Sequence, residues 1–306
     1  MSDTSPQVSV CLPTYNHGKY IYQAVASALA QVVNFPMEIV VADDQSTDET
    51  PEIINALRQG HPGRIHVRPR QKNLGRPYNF MDAFISCRGK YVAILEGDDY
   101  WTASDKLQIQ ADYLDAHPDC NLCFHRVRVR DETGKRQPYS LPPPQSPGFF
   151  SLDNLFAVNF IPTCSLMYRR PPNFEFPPWF KKMKLGDWPL SILIAADGPI
   201  GFLDEEMAVY RIHADSCWST RAKSYRVSAF IEMHKALDRH FAFRYHRRIR
   251  ELIGQNYYLL AREYLDEGEK AKAARAALRS LPNTPLRRPR VWKSRLGLLA
   301  KIPFRR

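Results

Sequence analysis

The amino-acid sequence predicts an α/β protein with a mainly parallel sheet flanked by helices, followed by a helical C-terminal extension. Three observations carry that expectation. Short β-branched runs alternate with segments of helical period through the first half of the chain, the pattern of strand–helix–strand units. Each clear strand runs directly into a polar cluster. Beyond about Ser219 the strand signals stop and the periodicity is helical throughout.

Taken in order, Val8 to Leu12 (VSVCL) reads as a buried strand. Ile21, Ala24, Val25, Ala28 and Leu29 recur at helical spacing and predict a helix with one apolar face. Glu38 to Ala42 (EIVVA) is a second strand running into Asp43-Asp44, after which Thr50 and Pro51 supply an N-cap and a first-turn proline for a helix burying Ile53, Ile54 and Leu57. A third helix is expected from near Pro77, burying Phe80, Phe84 and Cys87. Tyr91 to Leu95 (YVAIL) is the next strand and ends at Glu96-Gly97-Asp98-Asp99. Leu107, Ala111 and Leu114 mark a further helix closed by Pro118. From Tyr139 prolines intervene, in LPPPQSPG (Leu141 to Gly148) and PPNFEFPP (Pro171 to Pro178), which read as ordered pocket-shaping loops or as surface connectors. Tyr257 to Leu281 reads as a helical hairpin turning at Gly268, its second helix rich in alanine (Ala271, Ala273, Ala274, Ala276, Ala277).

Composition narrows the class. At 306 residues, 44% hydrophobic and 25% charged, the chain can bury a sizeable core and is not of disordered type. No run of eighteen apolar residues occurs and the start MSDTSPQ has no signal-peptide character, so a cytoplasmic protein is expected. The six cysteines then read as buried free thiols. Cys120 and Cys123 form a CxxC pair followed by His125, but no second pair completes four zinc ligands, and the start of a strand explains them as well. Residues 219–306 hold 22 Lys+Arg against 7 Asp+Glu, whereas the preceding residues hold 21 against 25. The basic part lacks the spacing of a nucleic-acid module, so no nucleic-acid partner is expected. Pro285 to Arg306, with eight basic residues, no acidic ones and Trp292, Leu296, Leu299 and Phe304, offers a peripheral contact with an anionic membrane or is an ordinary basic tail.

Pro13-Thr14-Tyr15-Asn16, Asp43-Asp44 and Asp98-Asp99 all fall at the carboxyl ends of expected strands, the edge at which open α/β sheets bind ligands. Asp98 and Asp99 alone could be a solvated acidic turn. Beside a diphosphate, however, they need a divalent cation between them and the substrate, and the two companion clusters favour that reading. A carboxylate such as Asp44 can accept the N3–H of a uracil or thymine ring against which Tyr15 lies, while Asp48 caps a helix. Asn73-Leu74-Gly75-Arg76 precedes the third helix, where backbone amides and an arginine can face phosphate oxygens or the segment is a plain helix start.

PTYN (Pro13 to Asn16), DDQSTDET (Asp43 to Thr50), NLGR (Asn73 to Arg76) and LEGDDYW (Leu95 to Trp101) together resemble the inverting family 2 glycosyltransferases of GT-A fold. The likeness continues more loosely through Gly186-Asp187-Trp188 and Tyr210-Arg211-Ile212-His213 and does not cover the tail. It implies a GT-A-like nucleotide-diphospho-sugar transferase fold over residues 1–218, with 1–100 binding the nucleotide-sugar and 101–218 on the acceptor side, and residues 219–306 as the helical basic extension. It implies that Pro13, Tyr15 and Asp44 hold the base, with Asn73 and Arg76 nearby and Asp98 at the ribose. Asp99 and His213 would hold a divalent metal, Mn2+ or Mg2+, and Asp187 would be the catalytic base. Many members carry aspartate at the position of Glu96, which leaves the role of this longer acid open. Arg211 stands beside His213, and Trp188 is expected on the pocket wall.

An acceptor hydroxyl is a poor nucleophile, so a carboxylate must take its proton as it attacks the anomeric carbon, and one displacement inverts the configuration. The expected donor is a UDP- or dTDP-sugar, and the acceptor a saccharide or lipid-linked saccharide of the cell surface. The alternative is a catalytically silent nucleotide-sugar-binding or scaffold protein of the same fold.

Overall fold

A computed structural model of the chain describes residues 5–68, 70–143, 148–216, 218–283 and 289–300. Cys217, residues 284–288 and 301–306 of the tail, Phe304 included, and the middle of LPPPQSPG lie outside the described residues. The chain forms two compact units, Met1–Ala214 and Asp215–Arg306. Among the described residues no helix is long and apolar enough to cross a membrane.

In the first unit, β1 (Val8–Thr14), α1 (Gly18–Leu29), β2 (Met37–Asp43), α2 (Thr50–Gly60), β3 (Ile65–Arg68), α3 (Arg76–Ser86) and β4 (Tyr91–Ile94) alternate as strand and helix. The second half adds β5 (Tyr100–Trp101), α4 (Lys106–Ala116), β6 (Leu122–Asp131), β7 (Tyr139–Leu141), β8 (Gly148–Phe150), α5 (Leu152–Ala157), β9 (Met167–Arg169), α6 (Asp187–Ile194) and β10 (Ile200–Ile212). One ten-stranded sheet results, ordered β3-β2-β1-β4-β9-β6-β10-β5, with β7 on β6 and β8 on β10. The run β3-β2-β1-β4 is parallel, as its helical crossovers require. β9 is antiparallel to both β4 and β6, so from there the expected mainly parallel sheet becomes mixed. Three-residue strands joined by proline-rich loops have no crossover helix to hold them parallel.

Order along the sheet decides where a ligand can enter. The chain moves from β1 out to β2 and β3, then returns past β1 to lay down β4. Strand order therefore reverses between β1 and β4, and the carboxyl ends at such a reversal are where open α/β sheets bind ligands. The α1 face Ile21, Ala24, Val25 and Ala28 is fully buried against the sheet. Helix α2 begins at Thr50 itself, not after it. The Asp48 carboxylate takes the amide of Thr50 at 3.1 Å and that of Gly18 at 2.8 Å, tying the starts of α1 and α2 together, while Thr50 Oγ1 accepts from the His17 amide.

At the opposite strand ends Glu38 is buried and accepts from Ser9 Oγ (2.6 Å) and from Arg88 Nε (3.0 Å) and Nη2 (2.6 Å). Desolvation acts to raise its pKa, but the Arg88 and Ser9 hydrogen bonds outweigh it and hold the carboxyl below its ordinary value. A depressed acid contributes stability above its unfolded pKa and loses it as pH falls through the native one. Glu38→Gln is therefore expected to cost about 1.5–3 kcal/mol at pH 7 in urea unfolding, with the gap to wild type closing as pH falls through the acid range. A gap that stays constant down to acid pH would show that shape, not charge, holds this corner.

The second unit holds α7 (Lys223–His240), α8 (His246–Asp266), α9 (Lys270–Ser280) and α10 (Pro289–Ala300). The alanine face of α9 (Ala273, Ala274, Ala276, Ala277) is buried and lets α8 and α9 approach closely, and the turn between them is made by Gly268 at φ +79°.

Candidate active site

Three loops build the site at the reversal point. After β1, Asn16 adopts φ +54°; after β2, Gln45 adopts φ +60°. Both are left-handed conformations that asparagine tolerates and glutamine adopts at a cost. They let the two loops interlock. The Asn16 amide donates to Ser46 Oγ (2.8 Å), Asn16 Oδ1 accepts from the Thr47 amide (2.8 Å), and the Ser46 hydroxyl donates to Asp43. Tyr15 stands next to this interlock, 39% exposed and so available to a ring, with Pro13 half-buried at the strand end.

Asp44 is buried and accepts the Leu74 amide (2.7 Å) and the Gly75 amide (2.8 Å), while Asn73 Nδ2 donates to the Asp44 carbonyl (2.9 Å). The NLGR segment is thus hung from Asp44. Gly75 sits at φ +85°, as the amide must to reach the carboxylate, and α3 starts one residue later. Arg76, half exposed, points its guanidinium to within 3.7 Å of Glu96.

Glu96, Asp98 and Asp99 follow β4 directly. One oxygen from each lies within 4.8 Å of the others. Gly97 allows this loop to fold onto β1: a Cβ there would meet Thr14 Oγ1 at 2.3 Å and His17 Nδ1 at 2.7 Å. Two imidazoles face Asp98 Oδ2, His213 Nε2 at 3.1 Å and His17 Nε2 at 3.8 Å. Burial works to raise Asp98, but these histidines prevail and hold it below its ordinary value. Asp99 is the opposite case. Its Oδ1 accepts the Arg211 amide (2.8 Å), its Oδ2 is buried with no hydrogen-bond partner among the described residues, and the weakly donating Cys164 thiol lies beside the carboxyl. Burial, then the charges of Asp98 and Glu96, push Asp99 well above the carboxylate range. Desolvation and Asp98 likewise raise Glu96 to about 7, against Arg76. Three crowded carboxylates with an orphaned buried oxygen form a hard, anionic donor set that fits Mn2+ or Mg2+.

Arg211 fastens the cluster from β10. Its Nη1 donates to the Asp98 carbonyl (2.6 Å), its Nε lies 3.1 Å from Glu132, and its guanidinium stacks over Tyr100 at 4.4 Å. On the other side Asp187 is the first residue of α6, and its Oδ2 accepts from Asn159 Nδ2 and Thr163 Oγ1, each at 3.2 Å. Its charge contributes to raising Glu96. Trp188, expected on a pocket wall, is instead a core residue. It is buried, and its indole N–H donates to the Leu155 carbonyl at 2.7 Å, which ties α5 to α6.

The strand-end groups therefore converge as three neighbouring loops, with Arg211 and His213 added from the end of β10. His17 directly follows PTYN, yet nothing in the local sequence marks it as a site residue. Asn159 and Thr163 had no signal at all, since they come from a stretch without periodicity.

The chain matches the model of the family described as Glycosyl transferase family 2 over residues 9–173. It is 42% identical over 211 residues to an uncharacterised protein of Mycobacterium tuberculosis, covering 69% of this chain and 60% of that one, so it spans less than two thirds of that relative. It is 28% identical over 234 residues to a putative teichuronic acid biosynthesis glycosyltransferase of Bacillus subtilis, covering 76% and 89%. Among solved structures it resembles S. aureus TarS 1-349 in complex with UDP (TM-score 0.59, 19% identity, 96% of this chain and 80% of that one). It also resembles a mannosyltransferase from Pyrobaculum calidifontis in complex with GDP-Man and Mn2+ (TM-score 0.58, 17% identity, 97% and 81%).

Proposed function

The chain belongs to glycosyl transferase family 2, and from that premise we propose that it moves a sugar from a nucleoside-diphosphate donor to an acceptor hydroxyl with inversion, in the assembly of a cell-surface polysaccharide or glycolipid. The observation that carries this reading is the cluster of Glu96, Asp98 and Asp99 at the strand-order reversal, with Asp99 Oδ2 buried and poorly satisfied. Tyr15, Pro13 and the loop hung from Asp44 receive the base. Each Asp44 oxygen already takes a backbone amide and keeps lone-pair capacity for a pyrimidine N3–H, which favours a UDP- or dTDP-sugar.

Asp99 with Asp98, Glu96 or His213 would hold a divalent ion, which would supply Lewis acidity to the departing diphosphate. Arg76, half exposed beside the cluster, neutralises the same developing charge from the α3 start. Asp187, the first residue of α6 and oriented by Asn159 and Thr163, takes the acceptor proton. The teichuronic acid relative supports a surface-polysaccharide acceptor, and the Mn2+ complex of the mannosyltransferase supports metal dependence. The basic C-terminal segment Pro285 to Arg306 is a candidate for peripheral contact with an anionic membrane, its alternative being an ordinary basic tail.

Calorimetric titration with UDP, dTDP, GDP and ADP, each with Mn2+, Mg2+ or chelator, tests the reading. UDP or dTDP is expected to bind with metal and to lose most affinity in chelator. Purine diphosphates binding equally well would remove the role given to Asp44, and no binding of any diphosphate would favour the silent scaffold.

A further inference from the structure

We propose that the turn between α7 and α8 is a membrane-docking tip that seats this chain on an anionic lipid bilayer. Residues 239–250 (RHFAFRYHRRIR) hold five arginines and two histidines and no acidic residue. Arg239, Phe243, Arg244, Arg247 and Arg250 are exposed, and Arg239, Arg244 and Arg247 form no ion pair among the described residues. Charge of one sign therefore gathers at a single turn of the second unit.

The backbone of the turn adds a second observation. Helix α7 closes with the Phe243 amide donating to the Asp238 carbonyl (2.9 Å) and the Ala242 amide to the Arg239 carbonyl (3.1 Å). To do so Ala242 and Phe243 adopt φ +46° and +63°. Left-handed backbone at a bulky residue is costly, and glycine or asparagine is the ordinary choice there. Here the outcome is a phenylalanine ring held 58% exposed at the apex, touching His246 edge-on at 5.6 Å. Helix α8 then starts without a side-chain cap or an acidic residue, with His246, Arg247 and Arg248 in the turn where the helix dipole is already positive. His246 is tied to Asp238 at 2.8 Å, which leaves Arg239, Arg244 and Arg247 without an acidic partner among the described residues.

An exposed ring and uncompensated guanidinium groups on one convex turn are each unfavourable in water and each satisfied at a headgroup boundary, where an aromatic enters the acyl edge and arginines meet lipid phosphates. Nucleic acid fits less well. Phe241 and Tyr245 are partly buried against each other at 5.2 Å, so one ring remains, and one ring is not a stacking platform. The tip is separate from the tail beyond residue 284, and the inference does not depend on the transferase reading, because its test reads partitioning and not turnover.

The test is co-sedimentation of the full chain with vesicles of phosphatidylcholine alone or with added phosphatidylglycerol. Binding is expected only with the anionic lipid and weakens with salt. Arg244→Ser with Arg247→Ser should reduce partitioning about fivefold per arginine, whereas Lys181→Ser with Lys182→Ser, an equal loss of exposed charge in the first unit, should leave it within about twofold. Phe243→Asn, which suits the left-handed turn, should lower binding about tenfold with unchanged helix content by circular dichroism. The proposal is overturned if the wild type ignores anionic vesicles, if both tip variants bind as well as wild type, or if the chain binds a single-stranded RNA in preference to the vesicles.

Discussion

Replacing Asp187 with asparagine is expected to lower kcat for sugar transfer about 10²–10⁴-fold while leaving nucleoside-diphosphate affinity unchanged. Asp187 Oδ2 accepts from Asn159 and Thr163, and an asparagine carbonyl oxygen can keep both bonds. The substitution therefore removes proton-accepting capacity with little change of shape. A base that acts only in the transition state affects turnover and not donor binding. Steady-state kinetics together with calorimetry of the same protein separate the two. If kcat stays within a few-fold of wild type, Asp187 only starts α6, and the base must be sought elsewhere on the acceptor side. If affinity for the diphosphate falls as far as kcat, the carboxylate shapes the site and does not act in the chemistry.

The parallel half of the sheet was readable because its strands are buried on both faces and leave unbroken apolar runs: VSVCL, EIVVA and YVAIL correspond to β1, β2 and β4. β3 was not, since IHVR is four residues long and lies at the sheet edge, where alternate side chains are exposed and the apolar signal thins. The three-residue strands β7, β8 and β9 are too short to carry a period. Strand direction beyond β4 depends on loop paths that no local pattern encodes.

Much the same division applies to the site. Residue types and spacing pointed to Asp44, Asp98 and Asp99, because polar residues at strand ends are legible one strand at a time. How Asp44 is used was hidden, since its partners are backbone amides some thirty residues on, and amides carry no sequence signature. His17 depended on the approach of two loops across Gly97, which follows from the β1–β4 register. Lys106 shows the limit of composition. It is fully buried with its amine 3.8 Å from the Trp101 ring, and burial lowers it to about 7, yet it reads in sequence as an ordinary helix-surface residue.

Substitution of Asp99 by asparagine should abolish metal-dependent donor binding and with it turnover, and should also make the metal-free protein more stable. Both effects have one origin. Asp99 is buried next to Asp98 and Glu96 with an oxygen that no strong donor satisfies, so without a cation its ionisation is opposed. A carboxyl raised in the native state binds its proton more tightly there than in the unfolded chain, so stability is present at low pH and is lost as pH rises through the native value. Glu96, raised to about 7, places part of that loss between the ordinary carboxylate range and neutrality. Thermal unfolding in chelator should show the wild-type midpoint falling over that window, with Mn2+ restoring it most at the upper end. Asp99→Asn should flatten the pH dependence, raise the chelated midpoint at pH 8 and remove the response to Mn2+. A variant that still gains stability from Mn2+ and still binds the diphosphate through it would show that Asp98 and Glu96 hold the ion without Asp99. A chelated wild type with no pH dependence in this window would mean that a buried partner already satisfies these carboxylates, and the need for a cation at the strand-order reversal would disappear.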